Sequence, residues 1–158
     1  MMEWLVALED TAFSVWLREA TTVWAYPTVL TLHTLGLAIL VGASTAVDLR
    51  VLGCGRQIPL APMERFFPAM WIGFWINAIS GVMLFAADAS TKGATMLFVF
   101  KLGLVAAGVL LIVLLRRALY GPGRDAVTVP YFAKVYAALS LLVWVSATAT
   151  GRLMAYLV

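Results

Sequence analysis

The single histidine of the chain, His33, stands in the apolar stretch YPTVLTLHTLGLAILVG, residues 26–42. An imidazole offers a metal-ligating nitrogen or a proton acceptor. In an apolar helix, desolvation penalises its charged form, so the neutral ring that ligates metal is expected. Three other ionisable side chains belong with it: Lys101 in TMLFVFKLG, Arg152 in GRLMAY, and Asp88 closing FWINAISGVMLFAAD. An ammonium and a guanidinium beside an imidazole, with too few anions to match, suit the carboxylates or phosphates of a ligand. The lone Cys54 excludes an intrachain disulfide and any CxxC zinc or redox motif, and no CxxCH motif is present for covalent haem attachment. One histidine and scattered methionines make no clustered copper-ligand motif either.

What must position these groups is membrane-spanning helix. Hydrophobic residues make up 63% of the 158-residue chain and charged residues only 12%. A soluble domain carries roughly twice that charge. Apolar runs at 26–49, 67–87, 95–116 and 131–156 each approach or exceed the roughly 20 residues that a helix needs to cross a bilayer. Ahead of them, MEWLVALEDTAFSVWLREA sets Trp4, Leu5, Leu8, Ala12, Val15 and Trp16 at helical spacing opposite Glu9, Asp10 and Arg18. Residues 3–18 are too charged to span and read as an amphipathic helix on the membrane surface or as a lid packed on the bundle. Glu9 and Asp10 interrupt this stretch and no basic region precedes it, so no cleavable signal peptide is expected. The expected fold is therefore all-α: one transmembrane domain over 1–158, a four-helix bundle with an N-terminal surface helix. The linkers GCGRQIPLAPMER, DASTKG and YGPGRDAVTVP leave no room for a second domain.

Charge orients the bundle. Arg50, Arg56, Arg65, Arg116, Arg117, Arg124 and Lys134 fall on one side; Arg18, Lys92, Lys101 and Arg152 fall on the other with most of the acidic residues. The positive-inside rule then puts both termini outside and the two basic linkers in the cytoplasm. The net charge of +3 is thus a topology signal and not a nucleic-acid footprint. His33 comes to lie roughly 9 Å inward from Pro27, and Lys101 at a similar depth. Arg152 and Asp88 sit nearer the outer surface. Either these four converge on one site in the outer leaflet, as intramembrane charges often do, or Lys101 and Arg152 snorkel to the headgroups and Asp88 merely ends a helix. Gly36, on the same helical face as His33, lets a macrocycle or a partner helix approach closely. Trp71, Phe74, Trp75, Phe85 and Trp144 line an apolar pocket or form core and lipid belt, while Asn77 and Ser80 hydrogen-bond between helices. At the inner end Arg50 is expected at the headgroups and Asp48 paired with a cation on a neighbouring helix, or on a proton path.

HTLGLAILVG with VDLRVLG, FWINAISGVMLF with FVFKLGLVAAGVLL, and ALSLLVWVSATATGRLMAY together resemble a bacterial family of small uncharacterised four-helix membrane proteins, over nearly the whole chain. That resemblance implies a multi-pass protein of the bacterial inner membrane. Many relatives carry an acidic residue three positions before the histidine, where this chain has Leu30. A looser similarity is to copper-resistance D-type and membrane protoporphyrinogen-oxidase-type four-helix proteins. Those have a histidine early in a first span and a lysine opening a later one, as His33 and Lys101 stand here. The oxidase type is associated with b-type haem, and its second characteristic histidine is absent here, so the resemblance implies a haem or porphyrin pocket and not the enzyme's activity.

Three readings follow. In the first, the protein binds haem b or a related tetrapyrrole and passes electrons: His33 is an axial ligand, Lys101 and Arg152 hold the propionates, and Met83, Met154 or Lys101 takes the sixth position, unless the iron stays five-coordinate. In the second it is an oligomeric transporter or channel for a small solute or ion, with His33 and the charges lining a polar path. In the third it is a structural subunit of a membrane complex. A homo-oligomer fits all three. The seven-to-four division of Lys and Arg predicts that a membrane-impermeant maleimide leaves Cys54 unmodified in intact spheroplasts and modifies it after lysis. Labelling before lysis reverses the orientation.

Overall fold

The computed structural model describes residues 3–93, 95–123 and 128–157. Among them there are helices and no strands: α1 (Glu3–Glu9), α2 (Ala12–Glu19), α3 (Tyr26–Leu52), α4 (Phe66–Ala86), α5 (Ala89–Gly93), α6 (Met96–Tyr120) and α7 (Tyr131–Leu157), with a 3₁₀ turn at Ala61–Arg65 before α4. Four of the helical stretches, Tyr26–Leu52, Ala61–Ala86, Met96–Tyr120 and Tyr131–Met154, are long and apolar enough to cross a membrane. The protein is thus a multi-pass helical membrane protein. α3 and α6 run past the expected ends at 49 and 116, because Arg50, Arg116 and Arg117 continue the helices instead of ending them. Arg124, expected at the cytoplasmic face, lies outside the described residues.

Pro27 opens α3 in the first turn, where its missing N–H costs no hydrogen bond. Gly53 closes it at φ 109°, a left-handed backbone that a side chain would strain, and its N–H bonds back to Arg50 and Leu49 carbonyls. The Arg50 guanidinium then bonds the carbonyls of Ile58 (2.6 Å) and Arg56 (3.2 Å), so it holds the linker in shape.

Around the bundle the order is α4, α3, α7, α6. α3 and α4 pack most closely, α6 and α7 next, and α3 against α7 joins the two pairs. The α3–α4 closeness has a specific cause. A Cβ built on Gly36 would lie 2.6 Å from the Asn77 backbone nitrogen, and one on Gly73 would lie 2.7 Å from that of Leu40. Only glycine at both positions lets the two backbones touch. Gly36 is therefore occupied by the helix crossing. Between α6 and α7, Trp144 lies flat on Gly108, where a Cβ would meet the indole at 2.7 Å. By contrast α4 and α6 meet through side chains: Phe85 and Phe98 stack at 4.7 Å. Below them Leu40, Met70, Trp71, Phe74, Val109 and Ile112 line a seam too narrow to admit water. Ile72, Trp75, Ile79 and Val82 run along the opposite, exposed side of α4, as a lipid-facing stripe should. Trp75 thus belongs to the lipid belt, whereas Trp71 and Phe74 face the seam.

The N-terminal segment, expected as a single helix over 3–18, is two helices docked on the end of the bundle where α3 starts and α4 ends. The break is local chemistry. The Thr11 hydroxyl donates to the Leu8 carbonyl (2.9 Å) and accepts from the Ser14 N–H (3.3 Å), capping α2 and competing with helix continuation. Leu17 is fully buried with Ala25, Val29, Leu84 and Ala87. Arg18 donates to the Ala87 carbonyl at 3.4 Å, and Glu9 accepts from the Ser90 N–H at 3.2 Å. The segment is a lid, and its Trp4, Phe13 and Trp16 remain exposed on the outside.

The glycine crossing predicts a sharp contrast in thermal unfolding in detergent. Gly36→Ala should lose about 1–3 kcal/mol, because backbone atoms cannot rotate out of the way. Gly42→Ala and Gly103→Ala, which meet nothing within 4 Å, should lose none.

Candidate functional site

His33 lies at the α3–α4 interface, just under one turn before the Gly36 crossing, and the crossing brings α4 backbone within reach of its ring. Nδ1 is 2.9 Å from the Asn77 carbonyl and 3.2 Å from the Ser80 hydroxyl oxygen. A carbonyl only accepts, so the closest contact assigns the proton to Nδ1, which donates to Asn77. The other neighbours agree with that assignment. The Asn77 amide donates to the His33 carbonyl at 2.8 Å, and the Ser80 hydroxyl donates to the Ile76 carbonyl at 2.6 Å. Two adjacent helices therefore exchange bonds at one residue pair, His33 and Asn77. Nε2 is left with its lone pair and takes no hydrogen bond among the described residues. Gly81 packs against the edge of the ring, where a Cβ would meet Cε1 at 3.1 Å.

Lys101 stands across the seam on α6, half-buried and within electrostatic range of the imidazole. Its Nζ is 3.6 Å from where a Cβ of Gly151 would sit, so the glycine on α7 makes room for the ammonium. No carboxylate among the described residues pairs with Lys101: the ion pairs at this end join Arg18 to Glu9 and Glu19, and Lys92 to Asp88 at 3.4 Å. The helices thus bring together His33, Asn77, Ser80, Gly81, Lys101 and Gly151. Arg152 follows Gly151 but projects about 100° around the helix and is exposed. Met154, three residues beyond Gly151, is half-buried. Met83 packs against the Leu17, Ala25 and Leu84 cluster beneath the lid. Asp88 is engaged by Lys92, outside the spans.

Chemically, this is an imidazole tethered through Nδ1, with Nε2 open and a lysine a helix away. Such an arrangement can ligate a metal through Nε2 or accept a hydrogen bond from a ligand, and Lys101 can hold an anionic group. Sequence pattern pointed to His33, Asn77, Ser80 and Lys101 but not to Gly151, whose role depends on which α7 face meets α6. Among the described residues no three His, Cys, Asp or Glu side chains group as a metal-binding cluster.

Fold and site together define a four-span helical membrane protein with a polar centre in the half of its bundle that carries the N-terminal helices. Over residues 7–157 the chain matches the family of unknown function DUF6644, and it belongs to that family. No curated protein and no solved structure matches it.

The exchange at His33 and Asn77 makes a separable prediction. Asn77→Ala removes the amide bond to the His33 carbonyl and should cost about 0.6 kcal/mol, the average for such interhelical bonds. The Nδ1–H tautomer should survive, because its acceptor is backbone. Imidazole ¹⁵N spectra that report an Nε2–H ring, in wild type or variant, would refute the assignment.

Proposed function

We propose that the protein binds b-type haem, or a related tetrapyrrole, in the outer half of the bundle and passes electrons through it. What carries this reading is the tethered ring: Nδ1 donates to the Asn77 carbonyl at 2.9 Å and Nε2 stays open. Histidines that ligate metals are commonly held this way, with the second nitrogen bonded to a carbonyl that fixes tautomer and ring orientation. The donor set fits a haem on one side. His33 supplies an open ring nitrogen, Gly81 leaves room for the imidazole itself, and Lys101 supplies a cation for a propionate. Arg152, exposed at the outer end, is the second propionate partner. When bound, the haem would supply one-electron chemistry at its iron. His33 would orient the group, Lys101 and Arg152 would neutralise its carboxylates, and the stacked Phe85 and Phe98 would limit water. The chain has no second histidine, so the Met154 thioether, or the Lys101 amine in place of its propionate contact, would be the further donor to the iron, or none would be.

The reading extends to setting. The resemblance to small bacterial membrane proteins supports an inner-membrane setting, and the division of Lys and Arg supports both termini outside. A homo-oligomer is supported by Gly42 and Gly103, exposed positions where nothing lies within 4 Å and a second helix can come close.

The test is a reduced-minus-oxidised visible spectrum of the detergent-purified protein from haem-sufficient cells. A b-type Soret and alpha band is expected. His33→Ala should abolish it while the protein still inserts. Lys101→Ala and Arg152→Ala each remove one charge-assisted bond, about 1.5–3 kcal/mol, and should weaken haem retention less. A colourless, folded wild-type preparation would reject haem and leave transport or an accessory role. A wild-type spectrum in His33→Ala would reject the ligand.

A further inference from the structure

A second polar cluster occupies the opposite half of the bundle, where α3 meets α7. Asp48 is fully buried there, at 0% exposure. Ser44, one turn earlier on α3, donates from Oγ to Asp48 Oδ2 at 3.2 Å, and its oxygen lies 3.2 Å from Oγ of Ser140 on α7. Ser44 and Ser140 are themselves 2% and 1% exposed. The other carboxyl oxygen, Oδ1, is buried with no hydrogen-bond partner. Val47, Val51 and Ala137 belong to the apolar core around this cluster.

No cation among the described residues pairs with Asp48, and each charged group described near it is engaged or turned outward. On α3, Arg50 is bonded to the Ile58 and Arg56 carbonyls. On α6, Arg116 pairs with Glu64 at 3.5 Å, and Arg117 is exposed. The Tyr120 hydroxyl donates to the Leu60 carbonyl at 2.7 Å. On α7, Lys134 is exposed and Tyr136 half-buried, and neither bonds to Asp48. Before α4, Glu64 and Arg65 are exposed. An ionised carboxylate here would be an uncompensated charge in low dielectric with an unsatisfied oxygen, which folding does not tolerate cheaply. A metal cation would need several more oxygens close by, and the packed cluster offers only one carboxyl and two hydroxyls. A proton needs no coordination sphere.

We propose that Asp48 is a proton-binding site, carrying a proton in the resting protein, and that the Ser44–Ser140 hydroxyl pair is the adjoining segment of its proton path. Hydroxyls both donate and accept, so the Asp48–Ser44–Ser140 line reverses its hydrogen bonds when the carboxyl takes up or gives up a proton. The proton comes from water at the Arg50 end of α3, the nearer end of the helix, and returns there or passes along the serines. This site is independent of the haem reading, since it shares no residue with it.

Infrared spectra of the whole protein in membranes test it. The wild-type spectrum should contain a protonated-carboxyl C=O band at neutral pH, shifting in D₂O and lost at high pH while the protein stays folded. Asp48→Asn, which keeps size and polarity, should lack the band. If that variant does not fold, ¹³C-carboxyl aspartate in the wild type should move the band and identify it as an aspartate's. Ser44→Ala should keep the band and move it to higher wavenumber, because one hydrogen bond to the carboxyl is gone. Absence of a protonated aspartate band would overturn the proposal. So would a band that neither exchanges in D₂O nor titrates, since that describes a neutral carboxyl with only a structural role.

Discussion

Backbone contact between α3 and α4, at Gly36 and Gly73, is the constraint from which the arrangement around His33 follows. In a bilayer, burial of apolar surface does not drive helices together, because lipid is as apolar as leucine. Close packing and interhelical hydrogen bonds must do it. Gly36 and Gly73 supply the first, with Cβ positions that would fall 2.6–2.9 Å from opposing backbone atoms. That approach in turn permits the second, the reciprocal bonds of His33 and Asn77 across the same interface. A bulkier residue at the crossing would press on the Asn77 and Leu40 backbone and so strain those bonds. The imidazole is thus held by the same feature that holds the helices, and its orientation is as firm as their spacing.

The polar groups inside the spans are few and sorted into two layers. Among the described residues, the layer nearer the N-terminal helices contains an imidazole and an ammonium without a carboxylate, and the far layer a carboxyl without a cation. An arrangement optimised only for stability would pair Lys101 with Asp48 or omit both. Between the layers, Leu40, Met70, Trp144 and Ile112 fill the core. Each layer therefore bears its own desolvation cost, which is the pattern of groups kept for something other than folding.

How much of this the sequence disclosed depends on the range of the interaction. The four spans were legible from apolar length alone, since a lipid environment demands internally bonded backbone and leaves little choice but helix. His33 and Lys101 were legible because ionisable groups in such spans are conspicuous. The broken lid was not: its apolar periodicity runs unbroken through residues 3–18, and the interruption comes from hydroxyl bonds at Thr11 and Ser14 that periodicity does not register. Asp48 was expected to find a cation because buried charges usually do. That expectation failed on rotational phase: Ser140, and no basic residue, happens to occupy the α7 face opposite it. The choice between macrocycle and helix as the neighbour of Gly36 was equally out of reach, since one small residue serves both.

The unequal packing of the four long helices has a mechanical meaning. α4 with α3, and α6 with α7, are two tightly bound leaves; the α3–α7 contact is their spine, and the α4–α6 seam is the free edge. A rigid-body swing of the leaves about the spine would spare both tight interfaces. His33 belongs to one leaf and Lys101 to the other, so their separation would register the angle between the leaves. Asp48 and Ser140 lie on the spine itself. Any such swing would change the distance between a nitrogen lone pair and a cation without breaking a bond in either leaf.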